Sequence, residues 1–274
     1  MTQPLLLEAR NLRKTFSAPK SSLGLKMPGV NGVARAGVAA VDNLNLELSA
    51  GETLAIVGES GSGKTTLARM LLRLIEPDSG ELLVDGRDFL ASRGAELRAL
   101  RREMQMVFQD PFASLDPRMR VGDIVGEPLE IHEPRISRGE RRSRVVEILH
   151  SAGLGEDALA RYPHEFSGGQ RQRIGIARAL VLRPRLVVAD EPVSALDVSV
   201  GAQILELLQN LQRDFALTYL LISHSLPVVA QLATRIAVMQ GGRIVESGPA
   251  AQILSAPTHP YTQSLIAAIP VLPR

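Results

Sequence analysis

One nine-residue stretch of this chain has the composition of a phosphate-binding loop. Residues 58–66 read GESGSGKTT, which matches the pattern G-x-x-x-x-G-K-[ST] in full. Glycines let backbone N–H groups wrap phosphates closely, Lys64 can reach β- and γ-phosphates, and Thr65 offers a hydroxyl to Mg²⁺. A Gly-rich turn with a surface Lys is the alternative, but an apolar strand pattern before the loop and a helical pattern after it favour phosphate binding. The candidate binding residues are Gly58, Glu59, Ser60, Gly61, Ser62, Gly63, Lys64, Thr65 and Thr66.

Two carboxylates follow the apolar run Leu186–Ala189. Asp190, at the end of a strand, is placed to hold Mg²⁺ directly or through water. Glu191 is placed to orient and deprotonate an attacking water. A strand that merely turns polar before Pro192 would explain the pair equally well if it stood alone. The phosphate loop upstream favours the chemical interpretation.

Two further side chains follow predicted strands at the edge where phosphates should lie. Gln109 comes after Met104–Phe108 and could coordinate Mg²⁺ or the attacking water. His224 comes after Leu217–Ser223, where an imidazole can donate to a γ-phosphate. A single Gln or His is more often an ordinary loop or surface residue, so both hypotheses depend on their neighbours.

A second predicted helix start carries bare backbone N–H groups. Ser167, Gly168, Gly169 and Gln170 resemble an N-cap followed by the first turn of a helix. A helix N-terminus attracts an anion by only ~0.3–1 kcal/mol, or up to ~2 kcal/mol when partly buried. This stretch therefore cannot hold a nucleotide alone, and an ordinary Ser N-cap is the simpler interpretation in isolation. Beside a phosphate loop it makes sense as a second clamp on a nucleotide.

The elements that must position these residues follow from the periodicity of apolar side chains. Predicted strands are Leu5–Leu7, Val41–Leu48, Leu54–Val57, Leu82–Val84, Met104–Phe108, Leu186–Ala189, Leu217–Ser223, Arg235–Met239 and Arg243–Glu246. Predicted helices are one with Leu67, Met70, Leu71, Leu74 and Ile75 on one face, a helical block from Val121 to about Gly153 with a Ser137–Glu140 capping box, one after Ser167, and Ile204–Leu211. Glu76–Glu81 reads as a turn. The alternation of strands and helices predicts an α/β fold with a mostly parallel sheet.

Composition excludes several classes of function. The 274 residues include no Cys, so disulfides, thiolate zinc sites and iron–sulfur clusters are ruled out. The formal net charge is only +2 and aromatic residues make up 3%, which disfavours nucleic acid as a partner. No apolar run approaches the ~20 residues needed to span a bilayer, and the N-terminal apolar run is too short for a signal peptide. The stretch Ser17–Ala40 reads as a solvated loop, with a functional basic arm as the alternative.

Taken together, these residues resemble the nucleotide-binding subunit of an ABC transporter over essentially the whole chain. Gly58–Thr65 is similar to Walker A, Asp190 and Glu191 to Walker B, and Ser167–Gln170 to the signature motif. Gln109 is similar to the Q-loop residue, Asp197 to the D-loop acid, His224 to the switch residue and Phe16 to the adenine-stacking aromatic.

The resemblance implies a P-loop NTPase core with a mostly parallel sheet, an N-terminal antiparallel β portion and an inserted helical subdomain at about residues 110–180. It also implies ATP and Mg²⁺, with ATP held between two such domains and Ser167 and the Gly169 N–H reaching the γ-phosphate of the other chain. Phe166 and Ser225 depart from the family pattern without removing a catalytic group. An ABC ATPase acting on DNA or the ribosome, or a regulatory module without turnover, is disfavoured because there is one cassette and because Glu191 and His224 are both present.

The tail narrows the resemblance. Thr258–Pro270, together with Met106–Met119, is similar to oligopeptide and dipeptide importer ATPases, and the Ser17–Ala40 loop to their second ATPase subunit. This implies an ABC ATPase domain at 1–252 and a C-terminal extension at 253–274. It further implies peptide uptake with a second ATPase subunit of a different chain, two transmembrane permease subunits and an extracytoplasmic solute-binding protein. The subunit would lie peripherally on the cytoplasmic face of the membrane. Nickel or glutathione as the solute, and a homodimeric ATPase pair, remain open from the residues.

Overall fold

A computed structural model describes residues 4–16, 37–110 and 114–268 of the chain. Its first layer is an antiparallel sheet with strand order β2-β1-β4-β5. Two twelve-residue strands dominate this sheet. The strands are β1 (Leu5–Phe16), β2 (Val38–Ser49), β4 (Ser79–Val84) and β5 (Arg87–Asp88). The N-terminal antiparallel portion is therefore present, and it is more extended than the strand patterns predicted.

The second layer is a six-stranded sheet with order β10-β9-β3-β8-β7-β6. Its strands are β3 (Thr53–Val57), β6 (Met104–Val107), β7 (Leu186–Asp190), β8 (Thr218–Ser223), β9 (Arg235–Gln240) and β10 (Arg243–Pro249). All neighbours are parallel except the β9–β10 hairpin at the edge. Strands β3, β7 and β8 are buried along their whole length, which explains their continuous apolar composition.

Helices cover both faces of this sheet. They are α1 (Lys64–Leu71), α2 (Gly94–Glu103), α3 (Val121–His132), α4 (Arg138–Ser151), α5 (Gly168–Leu180), α6 (Val198–Phe215), α7 (Leu226–Leu232), α8 (Ala250–Ser255) and α9 (Pro260–Ala267). Two short 3₁₀ helices, Glu156–Ala160 and Pro163–Glu165, lie between α4 and α5. The predicted capping box of α4 is half formed. The Ser137 hydroxyl accepts a hydrogen bond from the N–H of Glu140 at 3.1 Å, but the Glu140 side chain makes no return bond to the N–H of Ser137.

Buried apolar side chains form two clusters, one on each face of the six-stranded sheet. One cluster joins the antiparallel sheet and α1 to the sheet face that carries Leu54 and Ile56. The other joins α3, α4, α5 and α6 to the opposite face, which carries Ala55 and Val57. The helical segment between β6 and β7 thus shares its core with the sheet. The proposed boundaries of a helical subdomain at 110–180 and of a tail unit from 253 stay predictions.

Three local predictions differ from the structure. Helix α1 ends at Leu71, and the predicted inward face fails at Leu74, which is 54% exposed. The reason is Arg73, which has a φ of +51° and turns its own buried side chain inward to the carbonyls of Phe89 and Ser92. Residues 79–81, predicted as turn, extend β4, and helix α2 was not predicted at all.

The part of the chain that the structure describes contains no helix long and apolar enough to cross a membrane. The predicted loop Ser17–Ala40 falls outside the described residues except for its last four positions, and so does Pro270 in the tail. Residues 38–40, predicted as the end of that loop, are instead the first residues of β2.

Candidate functional site at the carboxyl edge of the sheet

The phosphate loop connects β3 to α1 in a conformation that only glycine adopts easily. Gly58, Gly61 and Gly63 have φ angles of +154°, +81° and +106°. A Cβ on Gly58 would lie 2.2 Å from the carbonyl oxygen of Met239, and one on Gly63 would lie 2.0 Å from that of Ala40. A Cβ on Gly61 would meet nothing within 4 Å. Gly58 and Gly63 therefore allow the close approach of neighbouring main chain rather than of a ligand. The sequence did not indicate this role.

The Lys64 ammonium lies inside the loop. Its Nζ donates to the carbonyl oxygens of Gly58 at 2.8 Å and Glu59 at 2.7 Å, and to the Ser62 hydroxyl at 3.3 Å. Burial lowers the pKa of Lys64, and the negative charges of Glu191, Asp190 and Glu59 oppose that shift. The loop's own oxygens thus use all three ammonium donors. A phosphate oxygen would compete most easily for the longest of these contacts, the one to Ser62.

Thr65 and Asp190 form the oxygen-rich corner of the site. The Thr65 hydroxyl donates to Oδ1 of Asp190 at 3.4 Å, and Asp190 is 3% exposed. Burial and the charge of Glu191 raise the pKa of Asp190, partly offset by the Thr65 hydrogen bond. Within the described ranges no group of three His, Cys, Asp or Glu side chains could hold a metal by itself. A hydroxyl and one carboxylate suit Mg²⁺ that takes its other ligands from phosphate and water.

Glu191 lies between the two side chains that the sequence placed near it. Its Oε2 accepts from Nε2 of Gln109 at 3.2 Å, and its Oε1 lies 2.8 Å from Nδ1 of His224. Glu191 also has a φ of +47°, an uncommon conformation for a residue with a side chain. Such strain concentrates at functional sites, where the surrounding structure over-determines it. The three predicted catalytic side chains thus form one hydrogen-bonded group.

These residues surround a cavity of about 490 Å³, a size typical of ligand sites. Its lining consists of Ala40, Ser60, Gly61, Gly63, Lys64, Thr65, Thr66, Gln109, Glu191 and His224. The chemistry of this lining, with a helix N-terminus, one ammonium, three hydroxyls and the Glu191 carboxylate, fits a nucleotide phosphate chain with a divalent cation. Ala40 was not predicted, because nothing in its type or spacing marks it. Phe16 does not line the cavity. It stands at the end of β1 with 44% exposure, so its stacking role stays a prediction.

The second predicted clamp lies elsewhere. Ser167 caps α5 through a reciprocal capping box with Gln170, with bonds of 3.3 Å and 3.0 Å. Asp197 caps α6 by accepting from the N–H of Val200 at 2.9 Å. A Cβ on Gly169 would lie 2.3 Å from a Val200 methyl, so this glycine lets α5 and α6 approach. Ser167, Gly168, Gly169, Gln170 and Asp197 are brought near one another, but none lines the cavity around Lys64.

Comparison with known proteins decides the family. Residues 41–194 match the ABC transporter family model, and residues 245–274 match the model of the oligopeptide/dipeptide transporter C-terminal region. The chain belongs to the ABC transporter ATP-binding family. As an ABC cassette it binds and hydrolyses ATP, and the resemblance found in its sequence is confirmed. Asp197, His224 and Phe16 lie outside the residues matched by the ABC transporter model.

Relatives of this cassette are similar along most of its length. The dipeptide transport ATP-binding protein DppF of Lactococcus lactis is 48% identical over 98% of this chain and 83% of its own. The oligopeptide transport ATP-binding protein OppF of Bacillus subtilis is 46% identical over 97% of this chain and 83% of its own. A probable peptide ABC transporter ATP-binding protein of Sinorhizobium fredii is 54% identical, and the alignment spans 85% of this chain and 66% of that protein. The glutathione import ATP-binding protein GsiA of Escherichia coli is 48% identical over 97% of this chain and 41% of its own.

Solved structures confirm the fold of the cassette. A dimeric, post-hydrolysis state of the ATP-binding cassette MJ0796 bound to ADP and Pi is similar with a TM-score of 0.75 and 30% identity, covering 89% of this chain and 98% of that one. The structure of cbiO1 from Clostridium perfringens, part of the ABC transporter complex cbiONQ, is similar with a TM-score of 0.77 and 26% identity, covering 93% of this chain and 92% of that one. The predicted α/β architecture with its antiparallel β portion and helical insertion is correct.

Proposed function

We propose that this cassette is the ATP-hydrolysing subunit of a peptide importer. One observation carries the catalytic part of the proposal. Glu191 is held between Gln109 and His224 on the wall of the cavity that also contains Lys64 and Thr65. A carboxylate supported in this way, beside a phosphate loop, has the position of a general base for hydrolysis.

The chain's own residues divide the chemistry between them. Lys64 and the N–H groups at the start of α1 bind the phosphates and stabilise their negative charge. Glu191 takes a proton from the attacking water, while Gln109 and His224 orient its carboxylate. Thr65 and Asp190, with Gln109, would hold Mg²⁺, which when bound neutralises charge on the β- and γ-phosphates.

A second ATPase subunit would complete the site. The start of α5 supplies bare N–H groups and the Ser167 hydroxyl, yet these groups do not line this chain's own cavity. Their attraction for an anion, at most ~2 kcal/mol, makes them useful only for a nucleotide already held by another phosphate loop. We infer that each partner presents its Ser167-type helix start to the ATP of the other. The related cassette MJ0796 is described as dimeric with ADP and Pi bound.

The permease partners would dock beside the Q-loop. A groove of about 360 Å³ lies there, lined by both apolar and polar side chains. Two of its apolar residues, Leu74 and Phe108, are 54% and 39% exposed. Exposed apolar side chains around a groove mark interaction surfaces. The residue after Phe108 is Gln109, whose side chain donates a hydrogen bond to Glu191. A subunit bound in this groove would therefore contact the chain one residue away from a side chain that holds Glu191. The groove supports docking of a membrane-embedded permease subunit; two such permeases and a peripheral position on the cytoplasmic face are proposed from the resemblance to importer ATPases.

Peptides are the proposed solute class, delivered by an extracytoplasmic binding protein. The tail match and the relatives named for dipeptide and oligopeptide transport support this choice. Glutathione is the second candidate, favoured by the relatives named for glutathione import. Nickel, which the sequence left open, has no such support among these relatives.

The complex purified from membranes tests the solute. ATP hydrolysis of the reconstituted transporter should rise on addition of binding protein with di- or oligopeptides, and glutathione or nickel should leave the basal rate unchanged. Stimulation by glutathione alone would replace peptides by the second candidate. A purified chain that binds no ATP would refute the catalytic proposal itself.

Ser167→Arg tests the composite site. The loss of an anion-binding helix start worth up to ~2 kcal/mol, together with a bulky cation at the interface, should lower turnover of the complex by about tenfold or more. ATP affinity of the isolated subunit should stay within about twofold. Ser137→Arg is the matched control, because Ser137 caps α4 by the same contact. A collapse of ATP affinity in the isolated Ser167 variant would contradict the two-subunit site.

A further inference from the structure

The C-terminal tail is fastened to the end of the six-stranded sheet by one carboxylate. Glu246 on β10 accepts from the N–H and the hydroxyl of Thr258, both at 2.8 Å, and from the N–H of His259 at 3.1 Å. Burial raises the pKa of Glu246, but its polar surroundings, including the hydrogen bonds from Thr258 and His259, outweigh that effect and lower the pKa to about 2. The carboxylate therefore fixes where α9 begins.

From that start, α9 extends to the phosphate loop. His259 caps the helix by accepting from the N–H of Tyr261 at 3.2 Å. Tyr261, Leu265 and Ile266 pack against the core cluster that contains Val57. At the tip of this contact the Tyr261 hydroxyl accepts a hydrogen bond from the backbone N–H of Glu59 at 3.0 Å. The tail thus contacts the second residue of the phosphate loop across 202 positions of sequence.

The same residue, Glu59, also binds the ammonium group of Lys64. Its carbonyl oxygen accepts from Nζ of Lys64 at 2.7 Å, the shortest of that ammonium's contacts. Glu59 does not line the cavity, so its N–H group serves the tail rather than a ligand. One residue therefore connects the Tyr261 hydroxyl on one side with the Lys64 ammonium on the other.

We propose that Tyr261 is a positioning residue of the ATP site, which fixes the entrance of the phosphate loop and so sets the affinity for ATP. This inference rests on the proposed function. Tyr261 acts through Glu59 and Lys64 and touches neither nucleotide nor attacking water. The C-terminal region would therefore be coupled to ATP binding. A movement of α9 would change the affinity of the phosphate loop for ATP, and bound ATP would in turn stabilise the position of α9.

The size of the effect follows from the contact. A neutral hydrogen bond contributes about 0.5–1.5 kcal/mol net. When Tyr261→Phe removes this hydrogen bond, the start of the loop samples further conformations. The apparent affinity for ATP then falls in proportion to the fraction of molecules whose loop can still bind it. The expected weakening of ATP binding is therefore about 2- to 10-fold. The rate at saturating ATP should not change, because Glu191, Gln109 and His224 keep their contacts.

Titration of the purified full chain with a fluorescent ATP analogue and Mg²⁺ tests the inference. Tyr261→Phe should raise Kd by about 2- to 10-fold, and in the assembled complex it should raise KM for ATP with kcat unchanged. Tyr219→Phe is the matched control, since its hydroxyl donates to the Leu208 carbonyl at 3.1 Å in the core. That control should lower the unfolding temperature and leave Kd unaltered.

A second measurement uses hydrogen exchange. Addition of Mg·ATP should slow exchange of the amides of α9 in the wild-type chain and have a much smaller effect in Tyr261→Phe. A wild-type chain that binds ATP together with a Tyr261→Phe variant of equal Kd would overturn the inference and leave the proposed function standing. An equal rise of Kd in Tyr219→Phe, or a fall in kcat at constant KM, would overturn it as well. A wild-type chain without ATP binding would refute the proposed function and this inference together.

Discussion

Glu191→Gln separates the proposed role of Glu191 as general base from the hydrogen bonds that hold its side chain. The Glu191 carboxylate is 16% exposed and has two neighbours, Nε2 of Gln109 at 3.2 Å and Nδ1 of His224 at 2.8 Å. A glutamine of the same shape can accept from Gln109 with its oxygen and donate to Nδ1 of a neutral His224 with its nitrogen. The hydrogen-bonded group therefore survives the substitution, and only the basic oxygen is lost.

The expected loss follows from that separation. General base catalysis contributes about 10²–10⁴-fold. At 1.36 kcal/mol for each factor of ten, the barrier should rise by roughly 2.7–5.4 kcal/mol. ATP binding should not weaken, since the substitution removes a negative charge near the site where the phosphates would lie. It also removes one of the causes that raise the pKa of Asp190.

The assay is ATP turnover of the assembled transporter at saturating Mg·ATP, with ATP affinity of the isolated chain measured in parallel. Glu206→Gln on the exposed face of α6 makes the same chemical change away from the cavity and should turn over like the wild type. Turnover of Glu191→Gln within about tenfold of the wild type would refute the assignment of the base, because it lies below the range for such catalysis. A loss of folding would appear as a lowered unfolding temperature, which the conserved contacts argue against.

Two further predictions concern the phosphate loop and the attachment of the tail. Gly63→Ala places a Cβ 2.0 Å from the Ala40 carbonyl at a φ of +106°, so the loop must move and ATP affinity should fall by about tenfold or more. Gly51 has a φ of +79°, and a Cβ there would meet nothing within 4 Å. Gly51→Ala should therefore lower the unfolding temperature without changing ATP affinity. For Glu246, the lowered pKa means that its stabilisation is complete above about pH 4.5, the ordinary value, and is lost as the pH falls toward about 2. Asp42 and Asp78 also have lowered pKa values, so both chains should lose stability across this range, but the loss should be smaller in Glu246→Gln, which is already weakened at neutral pH. Equal pH slopes in the two chains would contradict the prediction.

Much of the site could be predicted from the sequence because one geometric rule brings it together. Residues that follow parallel strands emerge at the same edge of a sheet, so Gly58, Gln109, Glu191 and His224 converge although they are far apart in the chain. The contact of Glu191 with both Gln109 and His224 required the register of β6, β7 and β8, which no single segment encodes.

The remaining features depend on contacts between distant segments. The exposure of Leu74 depends on the buried guanidinium of Arg73, which finds its carbonyl partners in the segment after β5. The hydrogen bond from the N–H of Glu59 to the Tyr261 hydroxyl depends on how α9 packs. The tail motif alone does not indicate which group this hydroxyl contacts. The glycine pattern was recognised, but its reason was only partly correct, because the oxygens of Met239 and Ala40 come from strands on either side.

Those two oxygens have a consequence for how the chain can change in evolution. When a substitution clashes with a side chain, a smaller residue at the neighbouring position can restore the fit. Gly58 and Gly63 press against main-chain carbonyls, which every amino acid carries, so no exchange at positions 239 or 40 can make room. We therefore expect a search for second-site suppressors of Gly58→Ala or Gly63→Ala to return true revertants. The backbone at positions 40 and 239 thus fixes the identity of these two loop residues, whatever side chains stand there.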